Sequence, residues 1–169
     1  MGLLRNRGPE GTRYKMREQL FSIGDDFWIE NDAGEKTFKV DGKALRLRDT
    51  FVLEGRGGEE LYTIQEKKLT VRDTMEIERD GQTVAKIKKA LVTPLRDRYS
   101  IEVEGGSDLE AKGNIVDHEY ELKRNGDKVA HVSKRWFRLR DTYGIEIAPD
   151  ADDALILACT VAIEQMSRR

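Results

Sequence analysis

Tyr143-Gly144-Ile145-Glu146-Ile147-Ala148-Pro149-Asp150-Ala151-Asp152-Asp153-Ala154-Leu155-Ile156-Leu157-Ala158-Cys159-Thr160-Val161-Ala162-Ile163-Glu164-Gln165-Met166 is the stretch in which the chain changes its period. Up to Ile147 apolar residues recur at every second position, the mark of a strand with one buried face. From 154 to 163 every residue but Thr160 is apolar, with acids ahead of the run and Arg168-Arg169 behind it. That pattern predicts a capped helix over about 151–166, aligned with its own dipole. A helix apolar on every side has no solvated face, so it must be enclosed. The apolar run rises only about 15 Å, half of the roughly 30 Å hydrocarbon core of a bilayer. No transmembrane span is therefore expected, and the interior of the protein itself is where the helix belongs.

What surrounds it is written in a repeat. Leu47-Arg48-Asp49-Thr50-Phe51-Val52-Leu53-Glu54 returns as Val71-Arg72-Asp73-Thr74-Met75-Glu76-Ile77-Glu78, as Leu95-Arg96-Asp97-Arg98-Tyr99-Ser100-Ile101-Glu102 and as Leu139-Arg140-Asp141-Thr142-Tyr143-Gly144-Ile145-Glu146. The spacing suits strand pairs rather than a helical solenoid. Runs beginning at Phe27, Met75 and Tyr120 each read as strand, polar turn and basic strand, with turns at Asn31-Asp32-Ala33-Gly34, Arg79-Asp80-Gly81-Gln82 and Arg124-Asn125-Gly126-Asp127. Asp-Gly and Asn-Gly suit the left-handed residues of a type I′ turn, and Asp41-Gly42 adds another such pair. Between 14 and 148 the chain holds on the order of a dozen such segments joined by short turns. So many strands hide their edges in a sandwich or a closed barrel, and sequential hairpins favour a meander. The expected architecture is mainly β, a closed antiparallel barrel of about twelve strands enclosing the C-terminal helix. No linker divides the chain, which predicts a flexible segment over 1–13 and one domain over 14–169.

Composition narrows the partners. Lys+Arg 30 against Asp+Glu 32 gives a net charge of −2, without the basic excess of a dedicated nucleic-acid binder. The one cysteine, Cys159, excludes an intramolecular disulfide and a cysteine metal cluster. Gly8-Pro9-Glu10-Gly11 stands where a secretory signal would be apolar, so cytoplasmic residence is expected, with peripheral membrane association left open.

Phe21-Ser22-Ile23-Gly24-Asp25-Asp26-Phe27, Asp41-Gly42-Lys43, the Arg-Asp-Thr repeats and Tyr143-Gly144-Ile145-Glu146-Ile147 resemble the LURP-one-related family of the prokaryotic type. The likeness runs from Tyr14 to Met166. It implies a twelve-stranded barrel around a hydrophobic C-terminal helix, a fold shared with tubby C-terminal domains and phospholipid scramblases. For function it implies lipid-binding or membrane-tethered relatives, with phosphoinositide-like headgroups as one ligand class and no settled activity among prokaryotic members. No segment matches tubby's phosphoinositide site residue by residue.

Candidate chemistry is sparse. His118, in Val116-Asp117-His118-Glu119-Tyr120, is expected on the apolar strand face with Val116, Tyr120 and Leu122, as a core histidine with one hydrogen-bond partner. Its acidic neighbours Asp117 and Glu119 would then point to the opposite face, which argues against a metal site. If the chain were an enzyme, His118 with Asp117 or Glu119 would be the candidate residues. His131 alternates with Val129 and Ser133 in a basic strand. Cys159, inside the apolar helix, reads as an inert thiol. Neither a Gly-x-Ser-x-Gly elbow nor a phosphate loop ending in Gly-Lys-Ser/Thr occurs, and no cofactor is implied. Arg48, Arg72 and Arg140 of the repeats form either an anion-binding ring or, more simply, turn-stabilising ion pairs.

The surface candidate is a basic set, Lys86, Lys88 and Lys89 with Lys134, Arg135, Trp136 and Arg138. Alternation predicts Lys134, Trp136 and Arg138 on one strand face. Cations around a tryptophan suit an anionic headgroup region. Outward cations also keep strands from aggregating and pair with the abundant glutamates. The leading expectation is a non-enzymatic binding module for anionic phospholipid or another anionic partner. The alternatives are an enzyme with a barrel-end pocket and a regulatory domain for protein or nucleic acid. A plugged barrel is also expected to leave little internal room for a ligand.

Overall fold

Two-residue turns set the frame of the sheet. At Asp80-Gly81 φ is 53° and 78°, and at Asn125-Gly126 it is 51° and 84°, so both loops have the left-handed pair of a type I′ turn. The computed structural model describes residues 11–17, 26–42, 50–67, 74–90, 97–136 and 142–167. Within them lie β1 (Thr12–Arg17), β2 (Phe27–Asn31), β3 (Lys36–Asp41), β4 (Thr50–Gly55), β5 (Glu60–Lys67), β6 (Thr74–Arg79), β7 (Gln82–Lys89), β8 (Asp97–Val103), β9 (Leu109–Asn114), β10 (Glu119–Arg124), β11 (Asp127–Ser133), β12 (Thr142–Ile147) and helix α1 (Asp153–Ser167). Each strand pairs antiparallel with its neighbours in the chain, and β1 pairs with β12 from Thr12↔Ile147 to Arg17↔Thr142, which closes the barrel. Of the segment expected to be flexible over 1–13, only 11–13 fall among the described residues, and Thr12 and Arg13 belong to β1.

The octads are the inward-facing code. Their fifth and seventh positions, Phe51 and Leu53, Met75 and Ile77, Tyr99 and Ile101, Tyr143 and Ile145, are all buried and belong to one core. Around α1 they leave no wet face: Ile156, Leu157, Ala158, Cys159, Thr160, Val161, Ala162 and Ile163 are all buried. Thr160 satisfies its hydroxyl by donating to the Ile156 carbonyl one turn back, 2.8 Å. Asp152 caps the helix, accepting from the Leu155 amide at 3.2 Å. Among the described residues no helix is long and apolar enough to cross a membrane.

Antiparallel pairing gives the barrel two unlike ends. At one, the hairpin end, even-numbered strands finish and odd-numbered strands begin, and the chain turns from β12 into α1. At the other, the far end, β7 and β11 finish, β10 begins, and the C-terminus of α1 arrives.

Candidate functional site

Two polar groupings stand at the far end, one inside the wall and one on it. The inner one is built on a turn rather than a strand. Ile115 to His118 form the β9–β10 connection, with the His118 amide donating to the Ile115 carbonyl at 3.1 Å and a His118 φ of 54°. The expected strand face of Val116, His118 and Tyr120 is therefore corrected: Val116 is 66% exposed while His118 is 5% exposed. A left-handed turn residue escapes strict alternation, and this one throws its imidazole inward. Gly113, opposite Tyr120, makes the approach possible. Its φ is 144°, and a Cβ there would lie 2.6 Å from the Glu119 carbonyl oxygen and 2.8 Å from Tyr120 Cα.

His118 Nδ1 lies 2.7 Å from Glu164 Oε1, and the Tyr120 hydroxyl donates to the same oxygen at 3.2 Å. The imidazole stacks on Tyr143 with centroids 4.2 Å apart and planes 6° from parallel. Burial, then the negative field of Glu164, pushes the Tyr120 hydroxyl's pKa well up, so it remains a donor. Glu164 Oε2 has no hydrogen-bond partner among the described residues. The core histidine with a partner is thus found. Alternation and the apolar run do not single out that partner, Glu164, yet a carboxylate on an enclosed helix is itself a signal that a buried donor must face it. Asp117 and Glu119 take no part: Asp117 accepts from the Asn114 side-chain amide at 2.7 Å, and Glu119 stands on the outer wall.

Cys159 is buried, and burial pushes its thiol up to about 12, which makes it inert. Among the described residues no three His, Cys, Asp or Glu side chains gather to hold a metal ion.

The outer grouping divides the basic candidates. Lys86 and Lys88 do project outward from β7, since Ala85 and Ile87 are buried inward. Both have acidic neighbours: Lys86 Nζ is 4.0 Å from Glu76 Oε1, and Lys88 Nζ is 3.1 Å from Glu102 Oε1. Lys89 has the opposite parity and sits at the mouth, across from Tyr99. The second set is not on a strand: β11 ends at Ser133, and Lys134, Arg135 and Trp136 lie in a bend and turn. Their alternation is corrected accordingly. Trp136 does not stand among free cations, because Arg13 covers its ring at 4.5 Å and His131 meets it edge-on at 5.0 Å. Arg13 in turn holds Glu146 at 2.8 Å. Arg138, and Arg48, Arg72 and Arg140 of the repeats, lie outside the described residues.

Ser133 ends the strand for a reason seen in Glu119. Its Oε1 accepts from the Ser133 hydroxyl at 2.6 Å and from the Lys134 amide at 3.1 Å, diverting that amide from the ladder. Ser133 Oγ accepts from the Arg135 amide at 3.1 Å, and the Arg135 side chain is left 86% exposed.

The fold is thus a closed antiparallel barrel of twelve strands that encloses its own C-terminal helix. The chain belongs to the LURP-one-related family, whose model matches residues 12–164. It is similar to the "Uncharacterized protein YxjI" of Bacillus subtilis (strain 168), 27% identical over 151 residues, covering 89% of this chain and 91% of that protein. Its fold is similar to that of an Arabidopsis thaliana protein solved by X-ray crystallography. There the TM-score is 0.71 at 18% identity, covering 98% of this chain and 96% of the other.

Proposed function

We propose that the protein is a non-enzymatic binding module that engages anionic phospholipid headgroups with the far end of its barrel. The supporting observation is topological: β7 and β11 both finish there, which puts Lys88, Lys89, Lys134 and Arg135 on one rim. The two sets are four strand intervals apart, about 19 Å along the wall, so they suit an extended charged surface better than one compact ligand. The kinship with lipid-binding tubby-like and scramblase-like proteins implied by the sequence lends further support, and peripheral association from the cytoplasm fits it. The burial of His118 with Glu164 favours the binding reading over an enzyme that would use His118 with Asp117 or Glu119.

The test is co-sedimentation with neutral and anionic liposomes at low and physiological salt. Binding to anionic vesicles that weakens with salt, and is lost in Lys134→Glu/Arg135→Glu, is expected, because exposed charges act within about 8 Å at physiological ionic strength. Absence of binding at low salt would overturn the proposal.

A further inference from the structure

The donors around Glu119 outnumber what a structural staple needs. Ser133 Oγ and the Lys134 amide both donate to Oε1, at 2.6 and 3.1 Å. Arg135 Nε stands 3.9 Å from the same oxygen, and His131 Nε2 stands 3.9 Å from Oε2. The Ser133 hydroxyl is oriented by the Arg135 amide, which donates to it at 3.1 Å. His131 is steadied by the edge contact with Trp136. A hydroxyl, a backbone amide, a guanidinium and an imidazole gathered from the end of β11 and the turn after it are the donor set of a phosphate site.

We propose that this is an anion-binding site for a phosphate monoester, in which the Glu119 carboxylate is a built-in occupant that the ligand displaces. Two phosphate oxygens would replace Oε1 and Oε2, and a third would face Arg135, whose side chain has room to close because it is largely in water. Displacement costs little because the hydrogen bonds from Ser133 and Lys134 pass from Glu119 to the ligand, and the ion pairs of this 31% exposed side chain contribute at most about 1 kcal/mol. Glu119 turned outward would then repel the incoming anion, which makes the site weak, while the three oxygen positions favour a monoester over a diester, which has only two free oxygens. The site rests on the anionic-partner reading and gives it a specific chemistry, carried either by a lipid or by a free phosphate.

The test follows the backbone amides of Lys134 and Arg135 by NMR while inorganic phosphate is added to the full chain, with liposomes of phosphatidic acid and phosphatidylglycerol as separate arms. Localised shifts at these amides, in the millimolar range, are expected. In Glu119→Gln, which keeps the shape and the accepted hydrogen bonds but not the charge, affinity should rise roughly tenfold. In Arg135→Ala, a substitution at an exposed side chain, it should fall. Stronger binding to phosphatidic acid than to phosphatidylglycerol identifies a lipid source, and equal binding with intact phosphate shifts identifies a soluble one. No shift at these amides in either wild type or Glu119→Gln, or weaker binding in Glu119→Gln, would refute the site while leaving salt-sensitive vesicle binding through the rim untouched. Shifts without any vesicle binding would do the reverse, sparing the site and removing the membrane.

Discussion

At the hairpin end α1 is held by carboxylates that touch water, and at the far end by one that does not. Asp153 accepts from the Tyr14 hydroxyl at 2.5 Å, and Asp152 from the Tyr62 hydroxyl at 3.4 Å. Arg79 donates to the Tyr62 hydroxyl and covers its ring at 4.5 Å. These groups sit at the positive end of the helix dipole, where acids are favoured, and solvent can replace any one of them. Glu164, on the enclosed helix, is buried inside the barrel, and among the described residues only His118 and Tyr120 are seen to satisfy it. The contrast teaches that one end is a fastening with substitutes and the other a lock without them.

The largest effect tests what both fastenings serve. Deleting residues from Pro149 onward removes Ile156, Leu157, Val161, Ile163 and Met166 from the core, at about 1.5 to 3 kcal/mol each. That sum rivals the stability of a whole domain, about 5–15 kcal/mol. The truncated chain should be insoluble or molten, with near-UV circular dichroism lost. A cooperative thermal transition in it would end the enclosed-helix account.

The next effect separates the ends. Glu164→Ala removes the acceptor that His118 and Tyr120 share inside the barrel, and we expect a loss of about 3 kcal/mol in urea unfolding. Were the loss no larger than that of an exposed carboxylate, the two ends would be equivalent.

The smallest effect reads the hairpin end through pH. Tyr62→Phe should cost about 1 kcal/mol at neutral pH. Burial first, and then the charge of Asp152, pushes the Tyr62 hydroxyl up to about 12, against about 10 in an unfolded chain. A raised folded value means that the unfolded state releases its proton first. The contribution is therefore intact below pH 10 and is lost as pH rises through 12. Wild type should lose stability between these values more steeply than Tyr62→Phe, as urea midpoints would show. Cys159, also raised to about 12 by burial, acts equally in both proteins and drops out of the difference. Parallel curves would mean that Tyr62 is not fastened as described.

Periodicity carried most of the architecture. Alternation in the octads, Asp80-Gly81 and Asn125-Gly126 in their turns, and the apolar run ahead of Glu164, interrupted only by Thr160, determined strands, hairpins and an enclosed helix, because each depends on residues a few positions apart. The tertiary structure alone decided who meets whom at the far end. His118 reaches Glu164 across 46 positions, and Arg13 reaches Trp136 from the opposite end of the chain, only because β1 closes on β12. The inward turn of His118 depends on a left-handed φ that no alternation rule predicts, and β11 stops at Ser133 because Glu119, from a neighbouring strand, takes the next amide. Local pattern selects the element, but the partner of a polar group is chosen by closure of the whole sheet.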